Sequence, residues 1–274
     1  MRFVRPEVFL VAKSVPNPRP IAEWLKSVGC SEDVVHLYSD NPDAKHDGER
    51  IIELAGRRCY LSFEVGLNPN VTRIRSDIAE YCENILKAKH GSVLEHAHFT
   101  FAIEGVSRVF TGEMNRHRAG VAISEGSMRY IRYTDIPIVE VDSLIPDDPD
   151  PEINALIEQD REDVRAHAEM TEVIYARIAE RWKSVLDGKD FTKKKHLTSR
   201  MRRIIPMGVA TGGLWTLNIR ALRHVCTMRC AESAEEEIAV VAGKMLEIMM
   251  KEEPSLFGDF HMDGTCWKPK YDKV

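Results

Sequence analysis

Residues 115–130 read NRHRAGVAISEGSMRY, and this stretch carries the strongest indication of both fold and function. Arg116, His117 and Arg118 are consecutive, so they cannot all face one way on a helix or a strand. They either form a solvated basic turn or bind a polyanion from several sides. Guanidinium groups suit the second role, because they make bidentate contacts with phosphate. The small residues that follow would let a ligand approach backbone N–H groups closely. Composition alone leaves both interpretations open.

A second basic segment lies downstream. It begins with Arg202 in RRIIP and continues as WTLNIRALRHVCTMR over residues 215–229. The pattern predicts a helix over 214–228, with polar residues on several faces. This is either an amphipathic helix with arginines whose charged ends reach solvent, or a helix that meets a planar, hydrogen-bonding ligand. Asn218 favours the second interpretation, since an amide both donates to and accepts from a pyrimidine or pteridine edge.

A third segment reads KHGSVLEH over residues 89–96. Ser92 and Glu95 have the spacing of a capping box, and a predicted strand begins at His98. The adjacent Glu95 and His96 could line a site, but on its own such a pair is more typical of a structural contact.

Composition and charge narrow the function classes. The chain has 274 residues, 43% apolar and 30% charged, which is ordinary for a globular protein of one large or two small domains. The net charge of −5 argues against a general nucleic-acid binder. Residues 139–163 hold ten acids and one base, whereas residues 193–229 hold nine Lys or Arg and no acid. The basic stretch either meets the acidic one or binds phosphates.

Hydrophobic periodicity predicts an α+β chain, rich in helix, with a small mixed or antiparallel sheet. We expect a division into an N-terminal extension packed on the core (1–50), a main domain (51–252) and a C-terminal tail (253–274), with an Asp-rich turn at 40–43. The predicted helices are 72–88, 106–117, 153–186, 193–205, 214–228 and 232–250. The predicted extended segments are 98–104, 128–133 and 136–141.

Several common motifs are missing from the sequence, namely GxGxxG after a strand, a Walker A loop, HExxH and GxSxG. No apolar run approaches 18 residues, and the N-terminus lacks the features of a signal peptide. The chain has only six cysteines in 274 residues, and we expect them to be reduced thiols in a cytoplasmic protein. Cys226 and Cys230 lie near His224, but structural zinc normally needs four ligands, so no metal site is predicted.

Together the three segments make the chain resemble the flavin-dependent thymidylate synthases, the ThyX family. The signature of that family is Arg-His-Arg, seven or eight residues, then Ser. Residues 116–118 are followed here by eight residues and Ser127, and Arg129 and Tyr130 continue the pattern. Residues 215–220 and Arg229 lie at the downstream spacing of the family. The resemblance covers roughly residues 50 to 250.

The resemblance implies a homotetramer with sites shared between subunits. It further implies FAD as cofactor, NADPH as reductant, methylenetetrahydrofolate as carbon donor, and conversion of dUMP to dTMP. Arg229 would be catalytic by orienting and polarising the uracil ring. The residues that the resemblance assigns to FAD are Ser92, Arg116, His117, Arg118, Glu125, Asn218, Arg220 and His224. Those that it assigns to dUMP are Glu113, Arg116, Glu125, Ser127, Met128, Arg129, Arg202 and Arg229.

Three residues depart from the common pattern of the family. Glu113 stands where many members have Gln, Ser124 where Asn is common, and His224 where some have Asn. Such changes are compatible with an altered one-carbon product, for example hydroxymethylation of dUMP. A non-catalytic homologue that binds nucleotides or RNA is the alternative outside the enzymes. No membrane and no nucleic-acid partner are expected.

Overall fold

The computed structural model describes residues 1–39 and 46–272, so the turn expected at 40–43 lies outside the described residues. The centre of the fold is an antiparallel sheet of four strands in the order β2-β3-β6-β4. These strands are β2 (Glu7–Lys13), β3 (His98–Val106), β4 (Val121–Glu125) and β6 (Thr211–Asn218).

Two small sheets flank the central one. A parallel pair joins β1 (Arg2–Val4) to β5 (Pro137–Val139). An antiparallel hairpin near the C-terminus joins β7 (Phe260–Asp263) to β8 (Cys266–Pro269). The sheet content is therefore small and mixed, and the predicted fold class is confirmed.

Helices make up about half of the fold. The described part of the chain holds eleven α-helices: α1 (Pro18–Ser27), α2 (Glu32–Ser39), α3 (Asp47–Tyr60), α4 (Ile78–Lys87), α5 (Arg108–Met114), α6 (Pro151–Arg181), α7 (Lys183–Asp187), α8 (Phe191–Met201), α9 (Ile219–Arg229), α10 (Glu236–Glu252) and α11 (Pro254–Phe257). Within the described ranges, no helix combines the length and apolarity that a membrane crossing needs.

The main core forms between one face of the central sheet and the helices that cover it. Period-two alternation places Phe99, Phe101 and Ile103 of β3 on the buried face, where they meet Trp215 and Leu217 of β6. Buried side chains of α4, α9, α10 and α11 complete this core. Burial of so many large apolar groups is the main source of the fold's stability.

Both chain ends extend the core. Strand β2 adds an edge to the central sheet by pairing with β3, and the β7–β8 hairpin packs beside α9. The division into 1–50, 51–252 and 253–274 stays a prediction.

Four local predictions are wrong. The helix expected over 72–88 begins only at Ile78, after the N-cap Asp77. Residues 211–218 form a strand, and the helix expected from Leu214 begins only at Ile219, because β6 is paired on both sides by β3 and β4. Residues 128–133 are not extended, since the backbone N–H groups of Tyr130 and Ile131 both donate to the carbonyl of Ser127 and close a turn. The long helix of 153–186 is interrupted at Trp182.

Candidate active site

The Arg-His-Arg segment lies in the short loop between α5 and β4. Helix α5 ends at Met114, and Gly120 then turns the chain with a φ of 69°. Strand β4 pairs antiparallel with β6, which places the loop beside the point where β6 passes into α9. The backbone N–H of Asn218 donates to the carbonyl of Gly120 at 3.1 Å and fixes this junction. The two basic segments of the sequence therefore meet.

Arg229 is the centre of a polar cluster at this junction. Its Nη1 donates to Oε2 of Glu113 at 2.6 Å, and its Nε donates to Nε2 of His117 at 2.9 Å. The ring of His117 also meets that of His224 edge to face at 5.8 Å. We call these four residues, Glu113, His117, His224 and Arg229, the Arg229 cluster.

The electrostatics of the cluster keep His117 neutral. Burial lowers the pKa of His117 below its ordinary value of 6.5, and the neighbouring positive charge of Arg229 lowers it further. A neutral ring is also what the hydrogen bond requires, because Nε2 accepts from Arg229 and must carry no proton. The cluster thus presents a cation that is already oriented by an acid and a neutral imidazole.

One groove of about 560 Å³ opens on the α9 side of the cluster; we call it the α9 groove. Asn218 is the N-cap of α9 and accepts from the backbone N–H of Ala221 at 2.8 Å. A Cβ at Gly120 would lie 2.8 Å from Oδ1 of Asn218, so only glycine fits beside this cap. The lining residues are Lys89, Glu95, Ala119, Gly120, Asn218, Arg220, Ala221, Arg223, His224, Thr227, Tyr271 and Asp272.

A second groove of about 690 Å³ opens beside α5, and we call it the Arg108 groove. Arg108 forms an ion pair with Glu125 and donates through Nη2 to the carbonyl of Gly126 at 2.6 Å. Asn115 donates to the other oxygen of Glu125 at 2.8 Å. The lining residues are Arg108, Thr111, Gly112, Asn115, Glu125, Gly126, Ser127, Met128, Arg202, Arg203, Ile205, Pro206 and Met207.

The Arg108 groove is built to accept an anion. Three arginines line it, namely Arg108, Arg202 and Arg203, against one carboxylate, Glu125. Burial lowers the pKa of Arg108, and the nearby positive charge of Arg202 lowers it further. The buried Nε of Arg108 has no hydrogen-bond partner among the described residues. An anion with several acceptor oxygens would be attracted to the three guanidinium groups of this groove.

Most of the residues expected at the site fall into three groups. Asn218, Arg220 and His224 line the α9 groove, whereas Glu125, Ser127, Met128 and Arg202 line the Arg108 groove. Glu113, His117 and Arg229 belong to the Arg229 cluster, whose fourth member, His224, lines the α9 groove; Glu113 follows Gly112 of the Arg108 groove on α5.

The remaining expected residues stand apart from both grooves. Arg116 and Arg118 are exposed on the loop, and Ser92 is exposed on a 3₁₀ turn, Gly91–Glu95. The turn that carries Arg129 is fixed by Thr198, whose hydroxyl donates to the Arg129 carbonyl at 2.7 Å. The Nε of Arg129 is buried without a hydrogen-bond partner among the described residues.

Sequence reasoning missed Arg108. The only local signal was its position at the start of α5, directly after the N-cap Ser107. Its role depends on Glu125 and Gly126, which reach it through the pairing of β4 with β6. At Gly213 a Cβ would lie 3.0 Å from the Cα of Glu125, so this glycine lets the end of β4 approach. In the described ranges, no three His, Cys, Asp or Glu side chains are grouped as metal ligands.

Comparison with known proteins identifies the family of the chain. The sequence matches the family described as "Thymidylate synthase complementing protein" over residues 42–255. A flavin-dependent thymidylate synthase of Mycolicibacterium gilvum is 33% identical over 263 residues, which cover 94% of this chain and 92% of that protein. Another, of Corynebacterium efficiens, is 30% identical over 226 residues, which cover 80% and 84%.

Among solved structures, a UMP/dUMP methylase PolB from Streptomyces cacaoi bound with 5-Br UMP has a TM-score of 0.61 and covers 94% of both chains at 16% identity. That likeness shows a common fold. The family expected from residues 115–130 is confirmed by the sequence matches. The chain therefore belongs to the flavin-dependent thymidylate synthases, a family of enzymes with this α+β fold.

Proposed function

We propose that the chain catalyses the reductive methylation of dUMP to dTMP, with FAD as cofactor, NADPH as reductant and methylenetetrahydrofolate as carbon donor. The observation that carries the proposal is the Arg229 cluster, which has His224 in the α9 groove and Glu113 next to Gly112 of the Arg108 groove, two grooves whose donors suit two phosphate-bearing ligands. Membership in the family supports the same reaction.

The α9 groove fits a flavin dinucleotide. It is lined by cations from separate elements, Lys89 and Arg220, which suit a pyrophosphate. The close approach of Gly120 to Asn218 leaves no side chain between a ligand and the backbone there. In this proposal Asn218, Arg220 and His224 hold the cofactor, with His117 at the inner end. When bound, the flavin supplies the hydride that completes the methyl group.

The Arg108 groove is proposed to hold dUMP. Arg108, Arg202 and Ser127 would bind the phosphate, since two guanidinium groups and a hydroxyl line one groove. Arg229 would donate a hydrogen bond to the uracil ring and thereby orient and polarise it. Arg229 would exchange its hydrogen bond to Glu113 for one to the uracil ring. The nearby carboxylate of Glu113 would keep the positive charge of Arg229 at this position.

Further substrate contacts complete the set. We assign Glu125, Met128 and Arg129 to dUMP as well, because Glu125 and Met128 line the Arg108 groove and Arg129 follows Met128 in the same turn.

Exposed residues of the site suggest that it is completed by other subunits. Arg116, Arg118 and Ser92 are assigned to FAD, with Arg116 also touching dUMP, yet all three are exposed in a single chain. Helix α6 carries exposed apolar side chains, Ile153, Leu156, Met170 and Val173, which a partner would cover. A homotetramer with shared sites accounts for both observations. A cytoplasmic location is proposed with it, on the ground that the six cysteines are free thiols.

The test is the product of a complete reaction. The purified protein is incubated with FAD, NADPH, methylenetetrahydrofolate and dUMP, and the nucleotide is identified by mass spectrometry. We expect dTMP, formed by the flavin-loaded protein only when NADPH, methylenetetrahydrofolate and dUMP are all present. Hydroxymethylated dUMP would replace the proposed reaction with another on the same substrate, and unchanged dUMP in the complete mixture would overturn it.

A further inference from the structure

The last described residues form a wall of the α9 groove. Tyr271 and Asp272 line the groove together with His224 and Thr227 of α9. They lie beyond residue 255, where the match to the family ends. The wall therefore belongs to a segment whose role the family match does not address.

A buried ion pair anchors this segment to α9. Arg223 is 3% exposed, and its two terminal nitrogens donate to the two oxygens of Asp259 at 2.6 and 2.9 Å. Nη2 of Arg223 also donates to the carbonyl of Tyr271 at 3.0 Å, and the backbone N–H of Tyr271 donates to Asp259 at 3.1 Å. The residue after Arg223 is His224, which lines the groove, so the anchor and the site are adjacent on α9.

A second anchor holds the other side of the segment. The Nζ of Lys270 and the hydroxyl of Tyr271 both donate to Glu83 of α4 at 2.8 Å. These donors lower the pKa of Glu83, so the carboxylate stays charged. The backbone is therefore fixed by two elements immediately before Asp272.

Asp272 is thus presented to the groove by a fixed backbone. Its carboxylate is exposed, and it has no hydrogen-bond or ion-pair partner among the residues that the structure describes. The other carboxylate of the lining, Glu95, already accepts from Arg220 at 2.6 Å. An unpaired carboxylate accepts hydrogen bonds only, and a pair of vicinal hydroxyls matches its two oxygens.

We propose that Asp272 binds vicinal hydroxyl groups of the flavin nucleotide in the α9 groove, either those of the adenosine ribose or those of the ribityl chain. The inference rests on the proposed function, since it assumes that this groove holds the flavin. It adds a ligand-binding residue from the C-terminal segment to a site otherwise built from the family region.

The direction in which FAD affinity changes when Asp272 is removed distinguishes a hydrogen-bonding carboxylate from one that only contributes negative charge. FAD carries a negative pyrophosphate, so a carboxylate that merely lies nearby repels it, and its removal would tighten binding. A carboxylate that accepts from the ligand's hydroxyls has the opposite effect. Loss of such a charge-assisted hydrogen bond weakens binding about tenfold or more.

The experiment measures the dissociation constants of FAD and FMN for the flavin-free full-length protein by fluorescence titration. Asp272→Ala is compared with Asp263→Ala, which removes the same charge from the β7–β8 hairpin, where Asp263 pairs with Lys268. Thermal melting checks that both variants are folded. We expect the Asp272 variant alone to bind FAD about tenfold more weakly.

The two ligands separate the two sources of hydroxyls. A loss for FAD with FMN unaffected assigns Asp272 to the adenosine ribose, and an equal loss for both assigns it to the ribityl chain. Unchanged or tighter FAD binding by the Asp272 variant overturns the inference while the proposed function stands. An unmodified protein that binds no FAD overturns the proposed function and this inference together.

Discussion

Replacement of Arg229 tests the proposed chemistry at its centre. The guanidinium of Arg229 donates to Glu113 at 2.6 Å and to His117 at 2.9 Å, so Arg229→Ala removes the cation from the cluster in one step. Arg229→Lys keeps the positive charge but loses the planar arrangement of donors. The pair of variants therefore separates charge from geometry.

The structure predicts a large effect on turnover and a small one on stability. The side chains of Arg229 and Glu113 are 17% and 31% exposed, so solvent screens this ion pair in part and it contributes about 1 kcal/mol. By contrast, removing one oriented donor from a developing charge slows catalysis by about 10²-fold to 10³-fold. We expect both variants to lose dTMP formation by that factor or more while they remain folded.

His117 provides a second readout that does not depend on turnover. Burial is the main cause of its lowered pKa, and the charge of Arg229 is the next cause, because a nearby cation disfavours a protonated ring. Removal of Arg229 should therefore raise the pKa of His117 toward 6.5, while Arg229→Lys should leave most of the depression. NMR titration of the His117 ring measures this directly.

Arg19→Ala is the control, since Arg19 also pairs with an acid, Glu23, but lies on the exposed face of α1. It should leave dTMP formation and the pKa of His117 unchanged. Wild-type turnover by Arg229→Ala, or a lower His117 pKa in that variant, would refute the reasoning.

Three further predictions concern the scaffold of the site. Burial raises the pKa of Glu253 from 4.5 to about 7, so the folded state binds the proton of this carboxyl more tightly than the unfolded state does. The free energy of unfolding should therefore fall by up to about 3 kcal/mol as the pH rises from 4.5 to about 7. Urea unfolding at pH 5 and pH 8 should show this loss in the wild type and a smaller one in Glu253→Gln, and equal losses would contradict it. Gly120→Ala should cost about 1–2 kcal/mol in the same assay and weaken FAD binding, because the residue has a positive φ and its new Cβ would displace Asn218; unchanged FAD affinity would contradict this. Asp259→Ala should destabilise the fold by about 3–5 kcal/mol, because Arg223 would be left buried and unpaired, and a melting temperature equal to that of the wild type would show that this ion pair is not needed.

The sequence was most informative where local pattern and chemistry coincide. The alternation of Phe99, Phe101 and Ile103 predicted a strand, because every second side chain of a half-buried strand must be apolar. The Arg-His-Arg stretch indicated the family, because the spacing to Ser127 and Arg129 is fixed along a short piece of chain.

The part that sequence did not reveal depends on contacts distant along the chain. Residues 211–218 carry apolar groups that suit a strand as well as a helix, and only pairing with β3 and β4 decides between them. Arg108 gains its role from Glu125, and Arg223 from Asp259, 36 positions away. No periodicity in the sequence records such pairs.

The most direct test of the account follows the visible absorbance of the flavin bound to the purified protein. NADPH is added without oxygen, with and without dUMP, and the bleaching of the oxidised flavin is timed. The account predicts a yellow protein whose flavin is reduced faster with dUMP, because both ligands are proposed to bind beside the Arg229 cluster. A colourless protein that takes up no added FAD would contradict it.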